Sequence, residues 1–150
     1  MTESDFWDVI ACLDWHKQGD DEGVVAPAVA ALAAKPRQDI LDFEELLAEK
    51  LFALDTEAHA RAIGEYAYAG PDTFFSVDCF LYARCVVVAN GRAYFESVRR
   101  SPHKMPRDME FEALLSIGDA AYQRATGQER NHSTRVSYET FSNRAGWGAS

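Results

Sequence analysis

The sequence predicts an all-α protein, a single-domain helical bundle of about six or seven helices with a partly irregular C-terminal tail. Apolar residues recur every three or four positions through most of the chain, and capping residues and breakers separate these segments at short intervals. A chain of 150 residues with 47% apolar composition is the usual size of one domain with one core.

Phe6, Ile10 and Leu13 fall at helical spacing beside Trp7, with Ser4 or Asp5 placed to cap, so a first helix is expected from about Asp5 to Lys17. Gln18 to Gly23 reads as a charged connector. A short alanine-rich helix should follow from Val24 to Ala34, since Pro27 fits only a first turn. Pro36 presets a third helix in which Ile40, Phe43, Leu47, Leu51 and Leu54 form the apolar stripe, and Asp42, Glu45 and Glu49 read as its solvated face. Asp55 is placed to cap a fourth helix through Ile63, Tyr66 and Ala67, stopped by Gly70-Pro71. Ser76 caps a fifth, with Asp78 in its first turn. The run Val86 to Val88 alone would suit a strand, but Phe80, Ala83 and Val87 keep helical spacing and Asn90-Gly91 resembles a helix end. A short helix from Arg92 to Arg100 and another capped by Asp108 and closed by Gly127 complete a helical domain over residues 1–127. Residues 128–150 are polar and small enough to predict a loose tail, although its aromatics, Tyr138, Phe141 and Trp147, are expected to pack back on the body.

Charge and composition exclude several functions. A net charge of −9 repels phosphate backbones and anionic lipid, and Arg99, Arg100, His103, Lys104 and Arg107 read as a basic helix end rather than a nucleic-acid surface. No apolar run approaches a membrane span, and the acidic N-terminus is unlike a secretory signal, so no membrane association and a cytoplasmic location are expected. Cys12, Cys79 and Cys85 lack ligand or disulfide spacing and are expected to be reduced thiols without required chemistry. The four histidines are dispersed and no glycine-rich phosphate loop is present, so neither metal nor cofactor is expected.

One polar constellation remains: Ser76, Asp78, Arg84, Arg92 and Tyr94. Arg84 interrupts an otherwise apolar helix and must find a partner or reach water. The structural reading pairs it with a carboxylate from another helix, Glu44 above all, with Glu65 as a second candidate. The functional reading places it at the floor of a cleft for an anionic ligand, with Asp78 and Tyr94 nearby.

The order of motifs, Phe6-Trp7-Asp8-Val9-Ile10, Asp39-Ile40-Leu41-Asp42-Phe43-Glu44, Ser76-Val77-Asp78-Cys79-Phe80, then Arg84, Gly91 and Tyr94, resembles the bacterial domain-of-unknown-function family 4240 over about residues 3–127. Two positions depart from the family pattern: Val86 stands where a tryptophan is usual, and Ala60-Arg61-Ala62-Ile63 replaces a tryptophan-rich stretch. The resemblance implies a fold and a residue pattern and carries no activity. The leading expectation is therefore a non-catalytic interaction or accessory domain that takes a protein or peptide partner through a groove or the aromatic tail. The alternative is an anion-binding protein or enzyme with a cleft around Arg84. No catalytic motif or oligomeric state follows from the sequence.

Overall fold

The computed structural model describes residues 1–148, and these contain seven α-helices and no strand. Ala149 and Ser150, included in the expected tail, lie outside the described residues.

Helix α1 (Glu3–Ile10) starts at a reciprocal cap: the Asp5 amide donates to Thr2 Oγ1 and the Thr2 amide to the Asp5 carboxylate. It is shorter than expected. Asp14 instead takes the His16 amide and starts a separate 3-10 turn, Trp15–Lys17. Helix α2 (Asp21–Ala33) begins earlier than expected because Asp20 accepts from the Gly23 amide, which leaves Pro27 in the helix interior. Helix α3 (Arg37–Ala53) buries the expected stripe Ile40, Phe43, Leu47 and Leu51, and Leu54 is buried just beyond its end.

Helix α4 is a single turn, Glu57–Ala60, capped by Thr56 rather than Asp55. The expected continuation to Ala67 fails because another segment intervenes. Asp108 places its carboxylate on the Glu65 amide at 2.7 Å, and Gly64, at φ 100°, turns the chain where any side chain would strike that carboxylate. Asp108 is therefore not a helix cap; it sits at φ 58° and ties residues 63–65 down.

Helix α5 (Val77–Ala89) is capped by Ser76, and from Phe80 onward only Tyr82 is not fully buried. Burial on all sides explains why Val86 to Val88 remain helical: a central helix has no polar face to maintain. Helix α6 (Arg92–Arg100) follows Gly91, whose φ of 98° permits the sharp corner. After a 3-10 turn at Glu112–Ser116, helix α7 (Ile117–Thr126) ends on Gly127 in the left-handed region. Helix α7 packs on α2 and α3, while α5 packs on α3 and α6. From α1, Phe6 packs on Phe43 of α3 at 5.0 Å between ring centres and Trp7 packs on Phe95 of α6 at 5.6 Å. No helix of the described residues is long and apolar enough to cross a membrane.

Residues 128–148 are irregular, as expected, apart from a 3-10 turn at Arg144–Trp147 capped by Asn143, but they are docked rather than loose. From Asn131 to Thr140 exposed and half-buried positions alternate strictly, the even-numbered residues turning inward, which is the period of an extended chain lying on a surface. Tyr138 and Trp147 pack against the core.

Candidate functional site

Residues 128–148, termed the strap, cross the body where the body keeps its buried charges. Arg84 is completely buried. Its Nη1 donates to the Leu51 and Tyr138 carbonyls, both at 2.9 Å, and Nη2 donates to Thr140 Oγ1 at 3.0 Å. The guanidinium also stacks over Phe80, 4.6 Å from the ring centre. Its Nε has no partner among the described residues. Burial lowers its pKa to about 10, with Asp55 acting in the opposite direction, so Arg84 remains a cation at neutral pH.

The expected Arg84–Glu44 pair is not formed. Glu44 lies two turns of α3, about 10 Å, before Leu51, the residue whose carbonyl Arg84 reaches. The alternative, Arg84 at the floor of an open anion cleft, is not what the described residues form, because the guanidinium is closed from solvent and makes three internal hydrogen bonds.

Asp55 is the complementary anchor. Fully buried, it accepts from the Phe141 amide at 3.2 Å, the Asn143 amide at 2.9 Å and Trp147 Nε1 at 2.8 Å. Phe141 adopts φ 77° to deliver its amide, and a side chain at Gly146 would meet the Asp55 carbonyl at 2.7 Å. Asn143 Nδ2 donates to the Phe52 carbonyl, and the Trp147 ring is caged by Tyr68, Phe75, Phe80 and Phe141. Asp55 and Arg84 therefore grip main-chain atoms of the strap, while an aromatic cage takes one side chain.

Nearer Gly127, carboxylates of α3, with Asp119 of α7, hold the strap's basic side chains. Arg130 bridges Asp119 at 2.6 Å and Glu44 at 3.3 Å, His132 Nε2 lies 2.8 Å from Glu45, and Arg135 Nη2 lies 2.6 Å from Glu49. The Arg135 amide donates to Glu45 as well. The face expected to be solvated is thus a docking face, and Asp42 on it receives the Met1 amino group. Glu44 is buried, with Oε1 unpartnered and pressed against Gly118, where a side chain would collide with it. Burial pushes its pKa up to about 7, outweighing the attraction of Arg130; Asp119 and Glu45 push the same way and His132 opposes.

The sequence-derived site residues are scattered. Ser76 caps α5 by accepting from the Cys79 amide, and Asp78 is exposed at the start of that helix. Arg92, about 20 Å away beyond the other end of α5, lies 3.7 Å from Glu3 on the surface, and Tyr94 is exposed nearby on α6. Sequence reasoning missed Asp55 as an anchor because an aspartate before a helix reads first as a cap. The available signal was the set of tail aromatics, two of which occupy apolar positions on the body.

Cys85 is buried, and desolvation raises its thiol to about 12. At Cys79 the Ser76 hydroxyl favours the thiolate, but Glu110, burial and Asp78 together outweigh it and raise the pKa. Among the described residues no group of three or more His, Cys, Asp and Glu side chains is placed to hold a metal ion.

The family model for DUF4240, described as a protein of unknown function, matches residues 1–124. The chain belongs to the DUF4240 family. No curated protein and no solved structure matches it. The DUF4240 match contains every receiving residue just described, Glu44, Glu45, Glu49, Asp55 and Arg84, and ends before the strap that they hold.

Proposed function

We propose that this DUF4240 protein is a non-catalytic interaction module whose groove along α3 and the start of α5 binds an extended polypeptide segment, its own strap being the occupant in cis. The observation that carries this reading is the direction of the buried hydrogen bonds. Of the six hydrogen bonds that the fully buried side chains of Arg84 and Asp55 make, five go to the strap, three of these to its main chain at the Tyr138 carbonyl and the Phe141 and Asn143 amides and two to the Thr140 and Trp147 side chains. Recognition of main chain by fixed polar groups, with one aromatic pocket for a side chain, is how extended peptides are held by folded domains. The end of the family match at residue 124, ahead of the strap, also favours treating body and occupant as separable parts. The cysteines, unpaired among the described residues, accord with a reducing compartment such as the cytoplasm.

The test is to insert a protease site after Gly127 in the full chain, cut it, and add a labelled peptide spanning residues 128–150. If the reading holds, the cut strap stays bound, exchanges with labelled peptide, and exchanges faster when Asp55 is replaced by Asn. Collapse of the fold on cutting, or a strap that never exchanges, would make the segment an inseparable part of the core instead.

A further inference from the structure

On the side of α5 away from the strap, two adjoining clefts of about 600 and 380 Å³ share Met109 and Glu110 as a common wall. The larger is floored by Phe111 and Val86 and flanked by Trp15, whose ring lies 5.1 Å from that of Phe111. The smaller is bounded by Ala83 and Tyr66. Trp15, Tyr66 and Met109 leave 39%, 58% and 49% of their surface in solvent, an unusual outlay of large apolar side chains along one groove.

The rim of this groove carries one sign of charge. Asp21, Glu65, Asp108 and Glu110 line it, and no lysine or arginine does. None of these four carboxylates joins an ion pair among the described residues, whereas Asp39, Asp42, Glu44 and Glu49 on α3 each face a cation and Glu45 is bonded to the His132 ring and the Arg135 amide. The negative charge left uncompensated by the fold therefore includes that around an apolar, aromatic-walled groove. Such walls focus the field and favour a cation with an apolar stem.

We propose that this groove docks a basic, partly apolar segment of another protein, its lysine or arginine head groups against Asp21, Glu65, Asp108 and Glu110. Arginine planes and side-chain stems lie over Trp15 and Tyr66, where the rings attract cations, and an aliphatic side chain covers Met109. The surface shares no residue with the strap groove, so this inference stands whether or not the strap is exchangeable.

The experiment uses the intact chain and an acetylated, amidated peptide of sequence Lys-Leu-Arg-Leu-Lys-Arg, with Glu-Leu-Glu-Leu-Glu-Glu as its counterpart. Calorimetry reads affinity and amide NMR reads location. The proposal requires saturable binding of the basic peptide only, with shifts at the Trp15 indole, Tyr66, Met109 and Glu110. The double variant Asp21→Asn with Glu110→Gln should weaken binding at least about tenfold, and Asp8→Asn with Glu129→Gln, which removes equal charge elsewhere, by less than about twofold. Equal weakening by both pairs would mean attraction to the overall field alone and would overturn the proposal. So would shifts mapping elsewhere, comparable binding of the acidic peptide, or failure to saturate.

Discussion

A guanidinium without access to water must find its acceptors inside the protein, and Arg84 finds them on α3 and on the strap. Arg84→Met would leave the Leu51 and Tyr138 carbonyls without this donor and remove the cation that faces Asp55. A loss on the order of 3 kcal/mol or more is expected in urea unfolding, with faster hydrogen exchange at the Phe141 and Asn143 amides. Arg84→Lys should recover little of it, because a single ammonium lacks the planar fork that reaches separate acceptors. Glu44 makes a second prediction. Its folded pKa of about 7 lies above the ordinary value of 4.5, so between those limits the folded chain holds a proton that the unfolded chain has released. The stability this contributes is complete below about pH 4.5 and is lost as pH rises through about 7, an effect of up to ~3 kcal/mol. Urea melts across that range should show the decline, and Glu44→Gln should flatten it. An unchanged slope in the variant would assign the pH dependence to another group.

At the scale of elements, α2 carries a proline at a position where a helix normally makes its repeating hydrogen bond. Pro27 is exposed and no packing role opposes its replacement, so Pro27→Ala should raise stability by roughly 1–3 kcal/mol in thermal or urea unfolding. A neutral result would mean that the helix has already adapted to the missing donor. The elements that were legible in the sequence share one property: their signals are local. The stripe of α3, the Ser76 cap of α5 and the Gly127 end of α7 each follow from residues within a few positions. The misread elements depend on distant partners. Helix α4 is cut short because Asp108 docks on the Glu65 amide, and Asp55 is diverted from capping by three donors more than 80 residues away. The candidate site was legible only as a question, that Arg84 needed partners; the answer lay in a tail whose composition alone predicts looseness.

For the whole molecule, the strap joins two kinds of attachment with different responses to salt. Near Gly127 it is held by ion pairs, the outermost being Arg135 with Glu49, whose side chains are 70% and 39% exposed. Farther along it is held by buried hydrogen bonds and the Trp147 cage. At about 1 M salt the charge screening length falls to ~3 Å, so the Arg135 amide should exchange faster while Phe141 and Asn143 remain protected. Uniform loosening along the strap would show that the ion pairs govern the entire attachment.

The docking of the strap also implies an order in folding. Tyr138, Thr140 and Asn143 follow the seven helices in the chain, and Arg84 and Asp55 lack these partners until the strap lies down. The contacts that the strap makes with Arg84 and Asp55 also span 54 to 92 residues of sequence, whereas the turns of each helix form from neighbours, so the strap contacts are the ones expected to form late. In refolding from denaturant, the Phe141 and Asn143 amides should therefore gain protection from hydrogen exchange after the amides of α3 and α5 do.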